Sequence, residues 1–428
     1  MNKVSTGEIK LDDYADIVTE QLLSEVGAAA DKLKGLRIIH VNATAQGGGV
    51  AEILKSLTPL MRDVGIDASW YAMSPDEPFF RITKTLHHCL QGCETTPSEA
   101  DINHYLATNK KAARTLASMG VTADVWFIHD AQVLPMLSYM DSCTGVWICH
   151  VDTTNQNEAV RNILFPYMTK YQTIIASMPE YFPNGNNPTD VVVCPPAIDP
   201  LQPKHNPLSF KDARAVLARL GMDTARPIIC QVSRFDRWKD PWGVIDAYRL
   251  VRKKLPGVQL ALVGAMSAKD DHDAPVVLEE LEQYAGDDSD IYLYHDPQVI
   301  NDLAVNAFQS GADVILQKST REGFGLTVTE AMWKGRPVIG GNCGGIKHQI
   351  RDGLTGYLVD DAESCASRII TLLKDPTLAG LMGNAGRESV RREFLMPRLL
   401  RDYLQLASSV LENSGTGCAA SGPVFAGN

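Results

Sequence analysis

The densest run of reactive side chains is Arg321-Glu322-Gly323-Phe324-Gly325-Leu326-Thr327-Val328-Thr329-Glu330-Ala331. Two carboxylates flank a glycine-bearing turn and the start of a helix. An acid in such a turn, at Glu322, is placed to hold sugar hydroxyls. An acid about two turns into the helix, at Glu330, can accept two hydrogen bonds from vicinal hydroxyls such as those of a ribose. The backbone N–H groups of Gly323, Phe324, Gly325 and Leu326 suit phosphate oxygens, because glycine admits close approach and a helix start carries unpaired N–H groups. Ordinary helix-start acids are the plainer reading. If Glu330 holds a ribose, alanine there is expected to cost ligand affinity and spare the fold.

A second run, Ser233-Arg234-Phe235-Asp236-Arg237-Trp238-Lys239-Asp240, follows an apolar strand. The fork of Arg234 and the point charge of Lys239 together suit a departing diphosphate. Two solvated loop charges would look the same. A third, Gly47-Gly48-Gly49, lies between a strand and a helix, where a turn can cover phosphates. Gln46 precedes it. His129-Asp130 and His150-Val151-Asp152 each end a strand-like run. Lys318 and the glycine-rich Gly340–Gly345 turn flank the Glu322 segment. His87, His88, Cys89 and Cys93 have no second ligand pair at zinc-site spacing, so no metal is expected.

These residues need a scaffold that brings strand ends together. Apolar runs at 36–42, 68–72, 124–129, 145–150, 173–177 and 191–194 alternate with helical stretches, among them 50–64. The pattern returns after 227, with runs at 227–232, 259–263, 291–294, 313–316 and 337–340 and a helix over 241–254. Alternation of this kind predicts parallel sheets covered on both faces. The expected fold is α/β, with two Rossmann-like doubly wound domains facing a central cleft. Proline-rich 195–207 reads as the linker. The expected division is an N-terminal Rossmann-like domain over 1–205, a C-terminal Rossmann-like domain over 206–412 and a disordered tail over 413–428.

The 428 residues carry a net charge of −11, which argues against a nucleic-acid partner. No apolar run is long enough to span a bilayer, and residues 1–16 lack an apolar signal core, so no membrane association is expected. Nine scattered cysteines fit a reducing compartment, and a cytoplasmic location is expected.

The segments SRFDRWKDPWGVIDAY, ILQKSTREGFGLTVTEAMWKGRPVIGGNCGGIKHQI and RDGLTGYLV resemble the family 4 retaining glycosyltransferases of the GT-B fold. HVNATAQGGGVAEIL, WFIHD and ICHVD resemble the trehalose-forming subgroup of that family. The likeness spans roughly 35–405. It implies transfer of glucose from a nucleoside-diphosphate-glucose to glucose, reversibly, through an α,α-1,1 bond. It also implies that Arg234 and Lys239 hold the donor diphosphate, Glu330 the ribose and Glu322 the donor hexose. His150 would lie by the transferred sugar, Gly47, Gly48 and Gly49 over the phosphates, and Gln46, Asp130 and Asp152 toward the acceptor. No cofactor or essential metal is implied. The partners are the nucleotide-sugar and a small sugar; a homodimer stays open. The subgroup has an arginine before the Cys-His pair and an HIDLS-like run after it, where this chain has Ile148 and His150-Val151-Asp152-Thr153-Thr154. The departure falls on the acceptor side. A trehalose phosphorylase, another acceptor, a sugar-nucleotide epimerase and a non-catalytic sensor are the rival readings.

Overall fold

The structure is a computed structural model that describes all residues except 142, 183–188, 265–273 and 416–428. It divides into one unit of Met1–Pro195 with Pro397–Asn428, and a second of Pro196–Met396.

The first unit is built on seven strands: β1 (Asn2–Lys3), β2 (Arg37–Asn42), β3 (Asp67–Ala72), β4 (Val125–His129), β5 (Gly145–Cys149), β6 (Thr173–Ala176) and β7 (Asp190–Val193). Their order is β1-β3-β2-β4-β5-β6-β7. Only the two-residue edge strand β1 runs antiparallel, paired with β3. Every residue of β4 and β5 is buried, as expected for strands covered on both faces. Trp70, Trp126 and Trp147 are the largest of its fully buried side chains. The helix expected at 50–64 spans Gly49–Asp63 and buries Ile53, Leu54, Leu57, Leu60 and Met61.

The second unit carries β8 (Ile228–Val232), β9 (Gln259–Val263), β10 (Ile291–Tyr294), β11 (Val314–Gln317), β12 (Val338–Gly341) and β13 (Tyr357–Val359). The order is β10-β9-β8-β11-β12-β13, and every pairing is parallel. Three-residue β13 was not among the expected strands; it is too short for an alternation signal.

Two boundaries differ from expectation. The units divide at Pro195/Pro196, not at 205/206, and most of the proline-rich segment packs into the second unit. There Ile198 pairs with the chain through its N–H to Phe394 O (2.9 Å) and its carbonyl from Met396 N (3.0 Å). The Asn306 amide donates to Pro203 O (2.8 Å) and Asn206 O (2.7 Å). The last helix, Met396–Gly415, was expected in the second domain, yet from Pro397 it belongs to the first. Its apolar face buries Leu399, Leu400, Tyr403, Leu404 and Ala407. Tyr403 stacks on Phe127 and on His40. Arg398 donates to Pro195 O (2.8 Å), and Arg401 pairs with Glu25 (2.9 Å). Helix runs through 413–415 of the expected tail; 416–428 lie outside the described residues. Among the described residues no helix is long and apolar enough to cross a membrane.

Candidate functional site

In the second unit the strand order changes direction between β8 and β11, and ligands of open α/β sheets bind beyond the strand ends at such a point. The loops after β8, β11 and β12 therefore lie side by side. They are Ser233–Asp240, Lys318–Gly325 and Asn342–Gly345, the three segments singled out from the sequence.

The Lys239 ammonium binds the Glu322 carboxylate, and both side chains are mostly buried, at 15% and 12% exposure. Ser319 Oγ donates to the same carboxylate at 3.3 Å. Arg234 lies in the same loop but is half exposed, 3.4 Å from Asp236. A second ion pair, between Lys318 and Asp240, accompanies the first. Asp240 takes the left-handed region (φ 46°) and caps helix Pro241–Arg252 by accepting from Gly243 N at 3.1 Å. Two lysines and two acids thus link the ends of adjacent strands. The sequence pointed to Lys239 and Glu322; Asp240 as their neighbour was missed, although an aspartate before Pro241 is a capping signal.

The Glu322 turn packs backbone to backbone against the glycine-rich turn after β12. A Cβ on Gly345 would lie 2.4 Å from Phe324 Cα, and one on Gly341 would lie 2.0 Å from Ser319 O. Gln349 fastens the contact by donating to Phe324 O at 2.6 Å. Gly325 (φ 87°) begins helix Leu326–Trp333 and, being glycine, offers no side-chain cap to the N–H groups of its first turn.

Glu330 lies in that helix and is buried to 1% exposure. Oε1 is 2.9 Å from Lys204 Nζ and 3.4 Å from His205 Nε2; Oε2 accepts from Gln309 at 2.7 Å. Burial would push its carboxyl up. The Lys204 ammonium and the His205 hydrogen bond, with Lys334 behind, outweigh burial and hold it well below the usual carboxylate range. Lys204 and His205 were missed, having been read as linker.

In the first unit the reversal lies between β2 and β4. Gly47 (φ 76°) and Gly48 (φ 79°) both take the left-handed region. A Cβ there would meet nothing, so backbone conformation, not space, calls for glycine. Gln46 is exposed in this turn. Asp130 (φ 67°) accepts from His150 N at 3.1 Å, which joins the ends of β4 and β5. Asp152 accepts from Thr154 N (3.0 Å) and Thr154 Oγ1 (2.6 Å). His150 is not alone: its Nε2 is 3.2 Å from His129 Nδ1, and His129 Nε2 is 3.1 Å from His40 Nδ1. Burial lowers all three pKa values, that of His40 to about 3, so the rings are neutral near pH 7. His40 sits mid-strand among apolar residues, and nothing in the sequence set it apart. Cys89 belongs to the core.

Residues 213–389 match the family described as glycosyl transferases group 1. A sucrose-phosphate synthase from Thermosynechococcus elongatus superposes with a TM-score of 0.70 over 88% of this chain and 99% of its own, at 19% identity, a likeness of fold alone. The chain is a glycosyltransferase enzyme with the GT-B fold, α/β with two Rossmann-like domains. Residues 40–183 match the family described as trehalose synthase, N-terminal domain. A trehalose synthase from Rubrobacter xylanophilus is 43% identical over 415 residues, covering 96% of this chain and 99% of that protein. A trehalose phosphorylase from Pleurotus pulmonarius is 28% identical, over 90% of this chain and 58% of its own. The chain belongs to the trehalose synthase family of family 4 glycosyltransferases.

Proposed function

We propose that the protein is a retaining hexosyltransferase that moves glucose from a nucleoside-diphosphate-glucose to free glucose, reversibly forming trehalose. The observation that carries this reading is the Lys239–Glu322 pair at the β8/β11 reversal, with the ionised Glu330 in the helix that follows. A diphosphate gains negative charge as it leaves, and Lys239 with Arg234 stabilises that charge. The N–H groups from Gly323 to Leu326, and those beside Gly47–Gly49, suit the phosphates. Glu330 takes the ribose hydroxyls, and Glu322 the donor hexose. No cofactor or metal enters the scheme.

Retention follows from displacement on one face of the sugar. The bond from the anomeric carbon to the diphosphate oxygen breaks, and the acceptor hydroxyl oxygen bonds to that carbon. The acceptor proton passes to the departing phosphate oxygen. The protein positions both partners and stabilises the leaving group. Asp130, Asp152 and Gln46 are assigned to the acceptor. Two different donor-side acids have separate tasks, so the spacing rules for paired glycosidase carboxylates do not apply.

A second reading, phosphorolysis of trehalose, is favoured by the likeness to a trehalose phosphorylase. A ribose clamp has no purpose in that reaction. Nucleotide-glucose donors incubated with glucose or glucose 6-phosphate, with product linkage read by NMR, test the proposal. A 1,1-linked disaccharide from free glucose is expected. Use of the phosphate ester more than tenfold faster, or any other linkage, refutes the acceptor assignment. Trehalose cleavage by inorganic phosphate without nucleotide refutes the donor assignment.

A further inference from the structure

Met61 closes the far end of the histidine row. Its sulfur lies 3.4 Å from His40 Nε2, and both residues are fully buried. A thioether has lone pairs and no proton, so it only accepts. A neutral imidazole carries one donor nitrogen and one acceptor nitrogen. Two polarities are open to the row. In one, His40 Nε2–H faces Met61 Sδ, His129 Nε2–H donates to His40 Nδ1, and His150 Nε2–H donates to His129 Nδ1. In the other every proton moves to Nδ1, and His40 Nε2 and Met61 Sδ then face each other as two acceptors in a fully buried site. A buried acceptor left without a donor is costly enough to bias the populations about tenfold or more.

We infer that Met61 sets the tautomer of His150 through His40 and His129, so that His150 presents Nδ1 to the site as a hydrogen-bond acceptor. Burial keeps all three rings neutral, which preserves the alternation. Phe127 stacks on one side of His40, with centroids 5.0 Å apart, and Tyr403 of the last helix also stacks on it at 6.2 Å, which holds the ring plane. His129 and His150 are stacked nearly parallel, at 5°. Among the described residues His150 Nδ1 has no hydrogen-bond partner, and His150 is only partly buried. A nitrogen with a lone pair and no proton accepts from a hydroxyl and repels a carbonyl or an ionised phosphate. The group recognised is therefore a sugar hydroxyl, which rests on the proposed reading of His150 as lying by the transferred sugar. Met61, His40 and His129 act as positioning residues.

The full chain labelled with 15N in its histidine rings reports each tautomer directly by NMR. Unprotonated Nδ1 and protonated Nε2 are expected on all three rings at pH 7.5. A protonated Nδ1 on His150 overturns the inference. Met61→Leu keeps the volume and removes the acceptor. It should raise the Nδ1-protonated fraction of His150 to at least a third and lower kcat about threefold or more, with donor KM changed less than twofold. An unchanged tautomer in Met61→Leu overturns the role of Met61. A shifted tautomer with unchanged kcat supports the polarised row and refutes only the placing of His150 at the sugar, so the two failures are distinct.

Discussion

Removing the Glu330 carboxylate tests the donor site and the fold together. Its oxygens meet Lys204 at 2.9 Å, His205 at 3.4 Å and Gln309 at 2.7 Å, in a site where Glu330 is 1% exposed. Glu330→Ala would take one charged acceptor away from a lysine, a histidine and an amide. Deleting one partner of a buried ion pair costs about 3–5 kcal/mol; Lys204 keeps 18% exposure and regains some hydration, so about 2–4 kcal/mol is expected. The structure thus revises the expectation that alanine would spare the fold. Glu330→Gln keeps the shape and an acceptor for Gln309 and should cost about 1–2 kcal/mol. Urea unfolding at pH 7.5 reads the losses. Lys204→Met combined with Glu330→Gln should recover part of the loss, since no ammonium then faces a neutral amide in place of the carboxylate, and the two changes should couple by more than about 0.5 kcal/mol. Calorimetry with a nucleoside diphosphate should show affinity reduced about ten- to a hundredfold in Glu330→Gln, the equivalent of about 1.5–3 kcal/mol. A midpoint identical to the native protein in Glu330→Ala would refute the buried-pair argument. Unchanged nucleotide affinity in Glu330→Gln would refute the ribose assignment.

Three further outcomes follow from other parts of the molecule. Arg234→Ala should lower kcat more than it raises donor KM, because charge on the leaving group grows toward the transition state; an effect confined to KM would reduce Arg234 to an anchor. Gly345→Ala would place a Cβ 2.4 Å from Phe324 Cα, so thermal melting should show a loss of about 1–3 kcal/mol; a native melting temperature would contradict the backbone contact. His40 is lowered by burial from 6.5 to about 3, so the unfolded chain binds more protons as the pH falls. Its share of stability is complete above about pH 6.5 and is lost progressively toward about pH 3, at roughly 1.4 kcal/mol per pH unit, or about 2 kcal/mol by pH 5. His129 and His150, lowered in the same direction, should steepen the loss. Urea midpoints at pH 7.5 and pH 5 check it, and a flat profile would show that the rings are solvated.

The order of apolar runs and turns was enough to place Gly47–Gly49, Ser233–Asp240 and the Glu322 turn at strand carboxyl ends. Periodicity and glycine position are local properties, and a parallel sheet fixes where each strand must end. Glu330 was legible for the same reason, as a carboxylate at fixed helical spacing from a glycine turn. Its partners were not. His205 is 125 residues from Glu330, and Lys239 is 83 from Glu322. His40 and His129 are 89 apart on neighbouring strands, and no feature of either strand names the other ring. Lys204 and His205 looked like linker because prolines exclude helix and sheet, but such a segment can still fold onto a domain when Asn306 takes its carbonyls. The last helix shows the limit most plainly. Its apolar face tells that it must be covered, since leaving Leu400, Tyr403 and Leu404 in water is unfavourable. Burial has no direction along the chain, so only the tertiary structure decided that the cover comes from the first unit.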